Sequence, residues 1–201
     1  MPITNRFHVV GGAVLATLTL GGVYAGDSPT ASMHLSDVAL SASEHRAAED
    51  FQSRVRQYRA LQEKLVATLP KLPTRATPEQ VDENQRALGA LIQSERAGAK
   101  RGELLTPEMQ ALVKRIMAAV LSGADGKTIK ASIMDENPGV PNLRVNDRFP
   151  DTVPLSTMPP QVLEPLPKLD EEMEYRFLGQ RLVLLDTHAH IVVDYTEDVL
   201  P

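Results

Sequence analysis

Asp186, His188 and His190 sit at i, i+2 and i+4, with Asp194 four residues on. In an extended chain that spacing places two imidazoles and a carboxylate on one face, because alternate side chains share a side. Such a donor set suits Zn²⁺, Ni²⁺ or Co²⁺, with Asp194 reaching in from across the turn. A solvated turn between two strands fits the same residues and is the preferred reading, with no cofactor required. Other chemistry is thinner. The chain of 201 residues has no cysteine, which removes disulfides, thiolate metal sites, a Cys nucleophile and lipid attachment through Cys. There is no G-x-S-x-G elbow, Walker loop or Rossmann fingerprint. The acidic run Asp170-Glu171-Glu172 reads as surface solvation, and Asp135-Glu136-Asn137-Pro138-Gly139 as a turn without calcium-loop spacing.

The elements that must position these residues can be read from periodicity. Ser41 to Glu44 forms a capping box, followed by Ala48, Phe51, Val55, Tyr58, Leu65 and Leu69 on one helical stripe, with Pro70 and Pro73 as the stop. Twenty-eight helical residues would span about 42 Å, so this seam needs a partner along its length. Phe51, Val55, Tyr58, Leu65 and Leu69 are therefore the expected interaction surface. Thr77-Pro78 and Thr106-Pro107 each start a further helix, carrying the stripes Val81, Leu88, Leu91, Ile92 and Leu112, Val113, Ile116, Met117, Val120, Leu121. Residues 97–102 form a break, Gly123 is placed as a C′ residue, and a short fourth helix is expected over 127–134.

Eight of the fifteen prolines fall between 138 and 167, a density that forbids a long helix or a central strand. Residues 135–173 are therefore an extended strap laid over a surface, with a helical turn at Gln161–Glu164. The pattern then changes to period two. Glu174–Leu178, a Gly179-Gln180 loop of type II′, the apolar run Arg181–Asp186 and Ile191–Tyr195 make a three-stranded antiparallel meander over 174–198. The fold class is thus α+β: a helical region over 41–134, a proline-rich strap and a C-terminal meander.

Residues 1–25 read as an address. Arg6 is their only charged side chain, an apolar stretch follows, and Val23 and Ala25 supply small residues for cleavage after Ala25. Residues 26–40 are a flexible tether. Removing the leader takes one Arg and no acid, so the net charge moves from −5 to −6. Nucleic acid is excluded as a partner, since phosphate binding needs clustered cations. The expected protein is exported to the periplasm or beyond, is not a lipoprotein, and has no membrane span after cleavage. Its partner is a second copy or another envelope protein, and it is more an interaction module than an enzyme.

Two resemblances bear on function. Leu184-Leu185-Asp186-Thr187-His188-Ala189-His190-Ile191 resembles the first-strand signature of metal-dependent amidohydrolases and TatD-type nucleases, where the His-x-His pair implies a divalent metal. That family is a barrel larger than this chain, with further ligands on later strands, whereas eleven residues follow His190. The hydrolase is the remote alternative. Secondly, Ser94–Glu108, Arg144-Val-Asn-Asp-Arg-Phe-Pro150, Val153–Pro160, Glu174–Asp186 and Ile191-Val-Val-Asp194 together resemble a family of exported bacterial proteins with no assigned activity. The terminal meander is similar to the short β-domains of DUF1236 and RcnB-like periplasmic proteins. The second of these implies nickel or cobalt handling, although His188 and His190 depart from the family pattern at the turn.

Overall fold

The structure is a computed structural model that describes residues 39–135, 142–154, 156 and 158–201. The expected leader over 1–25, nearly all of the tether and most of the 135–139 turn lie outside the described residues. Among the described residues five helices precede a three-stranded antiparallel sheet, so the α+β class with a C-terminal meander holds.

The first helix, α1, spans Ala42–Val66, and α2 spans Pro78–Glu95. Both start in full capping boxes, Ser41 with Glu44 and Thr77 with Gln80, because each hydroxyl accepts an orphan N–H and each acid or amide side chain answers it. Helix α1 stops three residues before the expected Leu69. Thr68 turns its hydroxyl onto the Leu65 carbonyl at 2.7 Å, and the last bonds tighten to i→i+3 spacing. Helix α3, Pro107–Ser122, is capped by Thr106. Helix α4 runs Gly126–Asp135, and a single turn, α5, occupies Pro160–Leu163. The α3–α4 corner depends on glycine at 126: a Cβ there would meet the Leu121 carbonyl oxygen at 2.0 Å. Gly123 ends α3 in an extended conformation rather than the left-handed one expected of a C′ residue.

Strands β1 (Met173–Leu178), β2 (Arg181–Asp186) and β3 (Ile191–Thr196) lie in that order. Gly179 at φ +59° supplies the positive φ that the expected hairpin turn requires. Strand β2 is buried on both faces. Leu182 and Leu184 face the helices with Phe51, Val55, Leu88 and Met109. Val183 and Leu185 face the other way, against Leu143, Phe149 and the half-buried Val153 of the strap. The strap is what covers that second face.

It also covers part of both sheet edges. On the β3 side Asn146 donates to the Val192 carbonyl, Val192 to that of Asp147, and Phe149 to that of His190, forming a short antiparallel bridge. On the β1 side one hydroxyl, Ser156 Oγ, accepts from the Phe177 N–H and donates to the Phe177 carbonyl, both at 3.0 Å. Bare edges template unwanted pairing, and the strap removes part of that exposure. No helix among the described residues is long and apolar enough to cross a membrane.

Candidate functional site

Asp186 and Asp194 are fully buried, and each is held by its own set of donors. Asp186 closes β2 and faces α1. It accepts from the Tyr58 hydroxyl at 2.6 Å, the Gln62 amide at 2.7 Å and the Ala189 N–H at 2.8 Å. Gln62, the polar residue at the missing step of the α1 stripe, is thus a core contact. Burial pushes the Asp186 carboxyl above the usual carboxylate range against the pull of these donors, and pushes the Tyr58 phenol up as well.

Asp194 reaches the helix side through a β-bulge. Leu185 pairs with Val192, but Leu184 pairs with Asp194, so Val193 is the inserted residue. Strict alternation would have left Asp194 on the strap face with Val192. The bulge instead turns it onto the 102–105 loop, where it accepts from the N–H groups of Gly102 (2.9 Å), Leu104 (2.8 Å) and Leu105 (2.9 Å), and from Tyr195 (2.8 Å). One carboxylate therefore ties β3 to the segment that starts α3.

The histidines diverge. Residues 187–190 form a turn with His190 at φ +54°, so the extended geometry behind the i, i+2, i+4 reading is absent. His188 Nδ1 faces Glu172 at 3.5 Å, while His190 Nε2 faces Asp151 of the strap at 3.5 Å and its ring edges onto Phe149. Glu172 is also paired with Arg59 of α1. Asp186, His188, His190 and Asp194 do not converge on a point, and among the described residues no group of three acidic or imidazole side chains is placed to hold a metal. A metal at either aspartate would have to displace hydrogen bonds that hold α1 or the 102–105 loop to the sheet.

The expected interaction seam is closed inside the chain. Phe51, Val55, Tyr58 and Leu65 are buried, and the half-buried Leu69 packs against the same core. The long helix finds its partner in the chain's own α3, α2 and meander: Phe51 stacks on Tyr175 with ring centroids 6.4 Å apart. That expectation is corrected, because a stripe this apolar is satisfied by intramolecular burial before any second molecule arrives.

A second buried node was not legible in the sequence. Arg96, at the end of α2, lies over the Tyr58 ring at 5.1 Å, donates to Asn146 Oδ1 at 2.9 Å and pairs with Glu103. Asn146 returns its amide to the Arg96 carbonyl at 2.7 Å from a left-handed conformation at φ +67°. The Asn146-Asp147 pair was the available signal, since Asn adopts that conformation readily.

A cleft of about 630 Å³ lies between α5 and β1. Met158, Pro160, Leu163, Leu169 and Met173 give it an apolar lining, with Tyr175 and Arg176 on the strand side and Lys168 at the rim. Leu163 is 47% exposed, the most exposed large apolar side chain among the described residues. None of the sequence candidates lies here. The cleft joins residues from the strap and from the first strand, and no single periodic segment marks it. A smaller cavity of about 310 Å³, lined by Leu69, Pro70, Leu72 and Asn84, takes in His188.

Compared with known proteins, the chain matches no protein-family model, no curated protein and no solved structure.

Proposed function

We propose that this chain is an exported, non-catalytic binding module of the cell envelope that meets its partner at the cleft between α5 and β1. Export rests on the leader-like residues 1–25 and, with cleavage after Ala25, places the mature protein in the periplasm or outside the cell. The resemblance to exported bacterial families of unassigned activity points the same way. The single observation that carries the binding reading is the cleft: its volume lies in the range of small-ligand sites, and it leaves Leu163 half exposed beside an apolar wall. The buried ionisable groups Asp186, Asp194 and Arg96 serve instead as cross-ties between elements.

A neutral solvatochromic dye such as Nile red tests the cleft. Saturable binding at one site per chain, lost in Leu163→Asp with the far-ultraviolet dichroism unchanged, is expected. Equal dye binding by that variant would refute the cleft as the contact surface. N-terminal sequencing of the chain recovered from periplasmic extract should begin at Gly26; recovery only from cytosol with residues 1–25 attached would refute export.

A further inference from the structure

The polar atoms left open beside the cleft point to the chemistry of its ligand. Leu178 faces Arg181 across the hairpin turn, so hydrogen-bonded pairs alternate from there along β1. Tyr175 falls in a non-bonded pair with Leu184, and its N–H and carbonyl point away from β2. Beside it on this edge the Met173 N–H donates to the Asp170 carbonyl, and Ser156 serves both polar groups of Phe177. The Tyr175 carbonyl accepts from Arg176 Nη1 at 3.4 Å. Its N–H has no acceptor among the described residues.

Arg176 continues the pattern. Its Nη2 pairs with Glu174, while Nε is buried without a hydrogen-bond partner among the described residues. Lys168, exposed at the rim, has no ion pair among them. Two polar side chains of the lining are already engaged: the Tyr175 hydroxyl donates to the Pro167 carbonyl at 3.0 Å, and Glu174 holds Arg176. Glu164 is the remaining carboxylate, exposed to water at the end of α5. The Tyr175 N–H, Arg176 Nε and Lys168 ammonium thus place three open donors, two of them cationic, beside an apolar wall. A ligand that completes them brings an anionic acceptor and an apolar body.

We propose that the cleft binds an amphiphilic carboxylate, a single acyl chain with an ionised head. The chain lies against Met158, Leu163, Leu169 and Met173, and the head meets Arg176 Nε and Lys168. This rests on the cleft being the binding surface, as argued above, and adds the ligand class.

The test is titration calorimetry of the full mature chain with dodecanoate, dodecanol and dodecyltrimethylammonium, each below its micelle concentration. Dodecanoate is expected to bind at one site and at least tenfold more tightly than the ammonium. Lys168→Gln and Arg176→Gln should each weaken it by about tenfold, as expected for loss of a hydrogen bond to a charged group, while leaving dodecanol unchanged. Glu164→Gln should strengthen it, and added salt should weaken it. Lys168 and Glu164 are exposed, so their variants keep the fold and guard against misreading an unfolded Arg176→Gln. Equal affinity for carboxylate, alcohol and ammonium, all lost in Leu163→Asp, would overturn the ligand class and leave the cleft in place. Dodecanoate binding that Leu163→Asp and Lys168→Gln leave untouched would overturn both.

Discussion

Two buried aspartates should respond by very different amounts to the same isosteric change. Asp194 accepts four backbone N–H groups, two on each oxygen: Gly102 and Tyr195 on Oδ1, Leu104 and Leu105 on Oδ2. Every partner is a donor, so only an acceptor with both oxygens free satisfies the site. An asparagine in its place would keep one oxygen and set an NH₂ against the other pair, leaving two buried N–H groups unmet. At about 1–3 kcal/mol for each unmet buried donor, Asp194→Asn should lose about 2–6 kcal/mol, a large fraction of a domain's stability. Asp186 is different. Tyr58 has a hydroxyl that both donates and accepts, and Gln62 has a buried Oε1 without a partner among the described residues. An asparagine at this second position keeps an oxygen for the Ala189 N–H and offers its NH₂ to Tyr58 or to a flipped Gln62. It also removes a charge that burial disfavours, as the raised carboxyl range shows. Asp186→Asn should therefore stay within about 1 kcal/mol of the parent. Equilibrium urea unfolding at pH 7, followed by far-ultraviolet dichroism, reads both. An Asp194→Asn loss no larger than that of Asp186→Asn would refute the donor-counting argument.

Two further outcomes follow from single contacts. Glu44 has its carboxyl held down at about 2, first by the Ser41 backbone and side chain of the capping box and then by Arg115. A lowered folded value gives stability that is present above the unfolded value near 4.5 and lost as pH falls toward 2. The protection factor of amides at the start of α1, the intrinsic exchange rate divided by the observed rate at the same pH, should therefore fall across that window, and Glu44→Gln should abolish the change; a pH-independent protection factor would contradict the cap. Ser156→Ala should leave the Phe177 N–H and carbonyl uncapped, lowering stability by about 1–3 kcal/mol and opening the β1 edge. Light scattering of the variant at rising concentration should show association that the parent lacks, and a monodisperse variant of unchanged stability would refute the edge-capping role.

Much of the fold was open to sequence reading because its signals are local. Ser41 with Glu44, Thr77 with Gln80, and Thr106 mark helix starts through groups within three residues of each other. Gly179 marks the hairpin by the sign of one dihedral angle. The apolar run within Arg181–Asp186 announced burial on both faces, and the helices and strap supply the two covers. The site was harder. The i, i+2, i+4 spacing of Asp186, His188 and His190 assumes a straight strand, and His190 in a left-handed turn removes that premise. The Phe51–Leu69 stripe showed that α1 needed a partner, but a stripe is silent on whether that partner is the same chain.

By itself the sequence determined the helix starts, the strap, the meander and their order, because caps, prolines, turn residues and periodicity act over a few residues. The tertiary structure decided which polar residues face which neighbours. One inserted residue, Val193, carries Asp194 from the strap face to the three N–H donors of the 102–105 loop before α3, about ninety residues back along the chain. The approach of α5 to β1 likewise creates a cleft that neither segment contains alone. Long-range packing sets both, since a bulge or a groove takes its meaning from what lies opposite it.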